Sequence, residues 1–285
     1  MALITFTTDF GTKDHFVGAV KGAIYTELPE ATIVDITHEI TPFNITETAY
    51  VVKNAYKSFP KGTIHIIGVD SELSIRNKHI AIFLDDHYFI CPDNGVISMI
   101  ASEIQPTKIV EINIHNHIES SFPVLDVFVK VAGFIARGGK LDVVGKEIQS
   151  YKKMIEIQPK VNQERNTIIG GIVYIDNYGN VISNISKKIF TEIGKDRAFK
   201  ITARRYTFDK VFHQYNEIVD FSVEDIRQYD GNKLALFNSA NYLEIAIYRS
   251  NLKTVGGAST LLGLRYRDRI TIEFFDEVNP DFTPI

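Results

Sequence analysis

Only one cysteine, Cys91, occurs in the 285 residues, so no disulfide framework forms within the chain. Its apolar, strand-like setting, HYFICPDNG, marks it as a buried structural thiol. No apolar run approaches the ~18–20 residues that a membrane helix needs. The first twenty residues carry Asp9, Lys13, Asp14 and His15, which excludes the apolar core of a signal peptide there. The expected location is the cytoplasm. The metalloprotease, dithiol and nucleophile-elbow patterns H-E-x-x-H, C-x-x-C and G-x-S-x-G are missing. A net charge of −4 gives no general pull toward nucleic acid or an anionic membrane. What remains is ordinary globular composition, 45% apolar and 23% charged, long enough for one or two domains.

The first half alternates strand-like runs (ALITF, TIVDI, TIHIIGV, IAIFL, YFIC) with segments of helical period. Helices are expected over 17–28, 45–59, 94–104 and 127–137, with Pro29, Pro60 and Gly138 as stops. Asp85-Asp86 reads as a hairpin turn. This alternation predicts an α/β domain over 1–149 with a mainly parallel sheet flanked by helices. Residues 150–167 are polar, contain Pro159 and lack a period, so they read as a linker. Residues 168–285 carry short β runs separated by turns, which predicts a smaller all-β, barrel-like domain.

Residues 7–22, TTDFGTKDHFVGAVKG, lie where the first strand hands over to a helix. Ligands of open α/β sheets bind at such carboxyl ends. The spacing of Gly11, Gly18 and Gly22 fits neither phosphate-loop pattern, and Asp9 has the wrong charge to meet a phosphate. A carboxylate there suits a ribose diol, because it accepts two hydrogen bonds at once. Asp9 and Thr12 also read as ordinary turn and cap residues. In HEITPFNITETAY, Phe43 either lines a pocket or packs in the core. In IIGVDSELSIR, Asp70 at a strand end and Arg76 in the following loop either orient a water or form a structural ion pair. PDNG reads as a turn, and so does IDNYGN, although Asn180 carries the donor and acceptor that an adenine edge requires. His115 and His117 would share one strand face. They read as a solvent-facing pair rather than metal ligands, because no third ligand lies nearby in sequence.

Taken in order, TDFGTKDHFVGAVKG, DITHEITPFNI, GVDSELSIR, PDNGVI, SSFPVLDVF, IDNYGNVISNI and NSANYLEIAIY resemble the S-adenosyl-L-methionine (SAM) hydroxide adenosyltransferase family, or SAM hydrolases, relatives of the bacterial fluorinase and chlorinase. The resemblance spans nearly the whole chain. It implies an N-terminal α/β domain, a C-terminal β-barrel, and a homotrimer whose sites are shared between subunits. It also implies attack of water or hydroxide on the ribose 5′ carbon of SAM, giving adenosine and methionine. SAM is then a substrate, and no cofactor or metal is implied.

By that resemblance, Asp9 holds the ribose hydroxyls and Phe43 lies beside the ribose. Asp70 and Arg76 belong to a water-orienting set. Phe122 and the backbone N–H of Val124 line the nucleophile pocket. Asp176 pairs with the methionine amino group, Tyr178 stacks on adenine, Asn180 hydrogen-bonds it, and Ser239 meets the methionine carboxylate. One of Tyr206, Phe208 and Phe212 completes the adenine sandwich.

The chain departs from the pattern where water is handled. Pro123 stands at the family's histidine, and proline has no side-chain donor or acceptor. Asp70-Ser71-Glu72-Leu73-Ser74 replaces the family's Asp-Pro-Gly-Val-Gly, one residue shorter before the arginine. Val124 replaces the halogenases' serine, and Ala240 their carboxylate-binding arginine. Three readings follow: a hydrolase working without the histidine, a SAM- or adenosine-binding protein that has lost catalysis, and an enzyme acting on another adenosyl or nucleoside substrate.

Overall fold

The computed structural model describes residues 2–102, 104–114, 120–154 and 157–278. The chain divides into two compact units, residues 1–156 and 157–285. His115 and His117 lie outside the described residues.

Unit 1 is built on seven strands: β1 (Leu3–Thr8), β2 (Thr32–Thr37), β3 (Ile64–Gly68), β4 (His79–Leu84), β5 (His87–Pro92), β6 (Lys108–Ile112) and β7 (Gly145–Glu147). Their order in the sheet is β2-β1-β3-β5-β4-β6-β7. Helices α1 (Phe16–Glu27), α2 (Ile45–Ala55), α3 (Val96–Ile100) and α4 (Val129–Ala136) flank it. Every residue of β3, IHIIG, is buried, because both faces of the sheet are covered. Alternation decides the partner. Ile64 and Ile66 pack with Val17, Val20 and Ile24 of α1 and Val131 and Ile135 of α4. Ile67 and Val69 pack with Ala49 and Val52 of α2 and Val96 and Ile100 of α3.

The α/β class is as expected, but the sheet is mixed rather than mainly parallel. The pairs β1–β2, β1–β3 and β3–β5 are parallel, whereas β5–β4, β4–β6 and β6–β7 are antiparallel. The turn at Asp85 and Asp86, with φ of 52° and 62°, forces this. A two-residue link joins only antiparallel strands.

Unit 2 comprises β8 (Lys160–Val161), β9 (Thr167–Ile175), β10 (Val181–Ser186), β11 (Arg197–Ala203), β12 (Tyr206–Phe208), β13 (Lys233–Phe237), β14 (Tyr242–Ile247) and β15 (Arg269–Val278). The antiparallel path runs β12-β11-β15-β9-β10-β14-β13, and β8 pairs with β9. Its two ends meet. Phe212 N donates to Ala235 O at 2.8 Å and Lys233 Nζ to Thr207 O at 2.8 Å, which nearly closes a barrel. The unit is not purely β. Helix α5 (Lys187–Gly194), capped by Ser186, buries Phe190 and Ile193 against Phe199 and Phe274, and a short helix, α6, spans Ala258–Leu261.

The stretch read as a linker is partly built into both units. Lys152 N donates to Asp93 Oδ1 at 2.8 Å and Met154 N to Ser98 Oγ at 2.9 Å in unit 1, while residues 160–161 add a strand to unit 2. No helix among the described residues is long and apolar enough to cross a membrane.

Candidate functional site

In unit 1 the candidate residues gather at the carboxyl ends of the parallel strands. Thr8 of β1 lies opposite Gly68 of β3, so Asp9, one residue on, and Asp70, two residues on, emerge at adjacent strand ends, close enough for the charge of Asp9 to act on Asp70. Asn94, just beyond β5, donates from Nδ2 to Val69 O at 3.0 Å and ties the third strand end to the second. Phe43 N donates to Asp9 Oδ2 at 2.9 Å. That bond helps hold Phe43 at a φ of 63°, where bulky residues are strained, and the residue is 71% exposed. The loop of Asp9 is anchored from the same side, since Gly11 N donates to His38 O at 2.7 Å and Thr12 Oγ1 to Glu39 Oε1 at 3.2 Å.

Asp70 also has positive φ, 49°, and Asn77 Nδ2 donates to its carbonyl at 2.7 Å. Burial raises the Asp70 carboxyl above the ordinary range, and the charge of Asp9 raises it further. Lys152 pulls it down and Glu72 pushes it up. Arg76 is exposed, and among the described residues no ion pair joins it to Asp70. The cation acting on Asp70 is thus Lys152, which sequence reading placed in a linker. No local pattern in the sequence signals that electrostatic influence, which acts without an ion pair among the described residues.

Phe122 contributes to an aromatic wall with Phe10 and Phe16, its ring centroid 5.4 Å from each. Pro123 caps a helix that begins with π-type turns over Val124–Phe128 and continues as α4. Ser120 fixes this start, accepting from Phe122 N at 2.9 Å and donating to Asp126 Oδ2 at 2.6 Å. The Val124 side chain is fully buried against Gly68, where a Cβ would come within 2.9 Å of Val124 Cγ2. Gly68 is needed for this close approach, since any side chain there would collide with Val124.

In unit 2, Asp176 organises its own turn. Oδ1 accepts from Tyr178 N and Asn180 N, each at 2.8 Å, and Oδ2 accepts from Asn180 Nδ2 at 3.1 Å. Burial nevertheless raises its carboxyl above the ordinary range, with these bonds opposing the rise. Tyr178 is 60% exposed at the tip. The turn packs closely on Gly257, where a Cβ would come within 2.4 Å of Tyr178 O, so position 257 has room only for glycine. Ser239 sits exposed in the turn between β13 and β14, whose conformation Asn238 sets. Tyr206, Phe208 and Phe212 lie at the barrel's seam with Lys233, 4.7 Å above Phe208. Sequence reading missed Glu244, 3% exposed beneath these turns; its only signal was an acid inside the apolar run YLEIAIY.

Chemically, unit 1 offers two neighbouring carboxylates and an aromatic wall, suited to hydroxyls and a cation rather than a phosphate. Unit 2 offers a carboxylate and an exposed aromatic on a rigid turn. Among the described residues, no cluster of three or more His, Cys, Asp or Glu could hold a metal.

Comparison with known proteins finds two family matches. Residues 4–145 match the SAM hydroxide adenosyltransferase N-terminal domain, and residues 170–271 match the C-terminal domain. A protein of Methanocaldococcus jannaschii named (R)-S-adenosyl-L-methionine hydrolase is 32% identical over 276 residues, 95% of each chain. A protein of Actinoplanes sp. named fluorinase is 23% identical over 277 residues, covering 86% of this chain and 90% of its own. Among solved structures, an uncharacterized conserved protein from Thermotoga maritima has a TM-score of 0.80 at 32% identity, covering 94% of this chain and 99% of that one.

Proposed function

Because this chain belongs to the SAM hydroxide adenosyltransferase family, we propose that it hydrolyses SAM, with water or hydroxide attacking the ribose 5′ carbon and methionine leaving from the sulfonium. The products are adenosine and methionine. The sulfonium is a leaving group that needs no activation, so this chemistry requires no metal or cofactor. What the protein must supply is alignment of water, carbon and sulfur, and a partly dry site.

The observation that carries the proposal is 32% identity across 95% of the chain to a protein named as that hydrolase. The pairing of Asp9 with Asp70 at adjacent strand ends supports it. In this reading Asp9 holds the ribose diol, Phe43 lies beside the sugar, and Asp70 orients the water. Phe122 and Val124 N line the nucleophile pocket. Asp176 pairs with the methionine ammonium, Tyr178 and Asn180 serve adenine, and Ser239 serves the methionine carboxylate. Lys152 assumes the cationic part of exposed Arg76. A homotrimer with sites shared between subunits belongs to the same proposal; native mass measurement is expected to give three copies.

Purified protein incubated with SAM in 18O-water should release adenosine and methionine in equal amounts, with the label in the adenosine 5′ hydroxyl. Pro123 at the histidine position favours one rival, a binding protein without turnover. Tight SAM binding with no adenosine would establish that rival and sink the hydrolase reading.

Asp9→Ala is expected to weaken SAM binding about 10²-fold, since two hydrogen bonds to a charged acceptor are lost at about 1.5–3 kcal/mol each, partly offset by water. Calorimetry with SAM and with its 2′-deoxy analogue checks this. The analogue should lose far less affinity from the substitution, and equal losses for both ligands would remove Asp9 from the diol.

A further inference from the structure

On β14, Leu243, Ile245 and Ile247 point into the barrel core, and Glu244 alternates with them on the opposite face. That face carries a small apolar cluster of Leu234, Leu236 and Ala246, packed by Phe212, Ile218 and Tyr248. Glu244 is 3% exposed. A carboxylate is almost never buried to that extent without partners, because an uncompensated charge costs several kcal/mol.

Its partners belong to three separate segments. Tyr215 Oη, from the long β12–β13 connection, donates to Oε1 at 2.6 Å. The side chains of Asn180 and Asn238 hydrogen-bond to it as well. Asn180 closes the Asp176 turn and donates to Asp176 Oδ2 at 3.1 Å. Asn238 holds the other turn, accepting from Ala240 N at 3.0 Å and Tyr242 N at 3.2 Å. Strand register places Ile182 of β10 and Leu236 of β13 opposite Glu244 on either side, so the carboxylate sits where the strands leading to both turns converge.

We propose that Glu244 is a positioning residue for the ligand-binding turns of unit 2. Its buried carboxylate fixes the 176–180 turn against the 238–242 turn, and Tyr215 clamps it from the outer side. Spacing between Asp176 and Tyr178 on one turn and Ser239 on the other is then set by one side chain that touches no ligand. The inference rests on the proposed function only for the identity of the ligand in its binding assay.

Glu244→Ala, Glu244→Gln and Tyr215→Phe in the full chain test it by amide hydrogen exchange and SAM calorimetry. In Glu244→Ala, amides of 177–181 and 239–242 should exchange about tenfold faster or more, while β11 and β15 keep their protection. Glu244→Gln should fall between, because its amide oxygen still accepts from Tyr215. Tyr215→Phe should speed exchange at both turns by a smaller factor, which keeps the test open if Glu244→Ala does not fold. SAM affinity should fall about tenfold in Glu244→Ala and KM should rise with it, while kcat at saturation changes less than about threefold. Unchanged exchange at both turns in folded variants overturns the proposal, and so does a loss of protection spread evenly over the barrel. If the wild-type chain binds no SAM, the proposed function fails, and the exchange pattern still decides the role of Glu244.

Discussion

Asp70→Asn should lower kcat for adenosine release by about 10²–10⁴, the usual contribution of a proton-handling group, while leaving KM within a few-fold of wild type. Asn matches Asp in shape and tolerates the left-handed backbone that position 70 requires at φ 49°. The Asn77 bond to the residue 70 carbonyl does not involve the side chain, so the loop should survive. What is lost is the ability to accept a proton from water. Burial and the neighbouring Asp9 charge raise the Asp70 carboxyl, which brings it nearer to working pH as a base. The wild-type rate should therefore fall on the acid side at a pH above the ordinary aspartate range, and this acid limb should vanish in Asp70→Asn. The limb belongs to the pair, so Asp9→Ala at saturating SAM should shift it to lower pH by removing a like charge. A folded Asp70→Asn protein with wild-type turnover would reduce Asp70 to a structural role.

The same carboxylate shows where sequence reading reaches its limit. Asp9 and Asp70 were visible as acids at strand ends, because buried parallel strands leave unmistakable apolar runs and their carboxyl ends are where ligands bind. That β1 and β3 are neighbours, with Thr8 opposite Gly68, is a long-range fact that neither run contains. The charge environment of Asp70 is long-range for a related reason. Arg76 is close in sequence but exposed, whereas Lys152 comes from a polar stretch pinned over β5 by backbone bonds to Asp93 and Ser98. Glu244 escaped because an acid in a β run usually faces water. Only the fold of the β12–β13 connection covers it. The mixed sheet, by contrast, was implicit in the Asp85-Asp86 hairpin, since that turn already demands an antiparallel pair.

The second large effect concerns stability, at the end of the unit 1 sheet opposite the candidate site. His65 sits inside β3, with Nδ1 2.6 Å from Thr5 Oγ1 and Nε2 3.1 Å from His87 Nδ1, enclosed by Tyr56, Phe59 and Phe89. Burial, and then the proximity of His87, push its pKa from 6.5 down to about 3. The folded state therefore keeps this imidazole neutral over a range in which the unfolded chain takes up a proton. Above about pH 6.5 both states are neutral and His65 contributes no pH dependence. As pH falls from there toward about 3, the unfolded state is favoured by roughly 1.4 kcal/mol per pH unit. Between pH 7 and 4.5 this amounts to about 3 kcal/mol, a large share of a typical domain's stability. His87 is shifted the same way by burial, although Asp85 and Asp86 oppose it. The raised carboxyls of Asp70, Asp93, Asp176 and Glu244 act in the opposite sense, since they protonate more readily when folded. A single acid titration thus mixes both signs, and a difference between variants separates them. His65→Gln keeps a donor and an acceptor in the cage but cannot titrate. It should be less stable than wild type at pH 7 and yet lose about 3 kcal/mol less between pH 7 and 4.5 in urea unfolding. Parallel stability curves for the two proteins would show that His65 is charged in the folded state or does not govern the acid response.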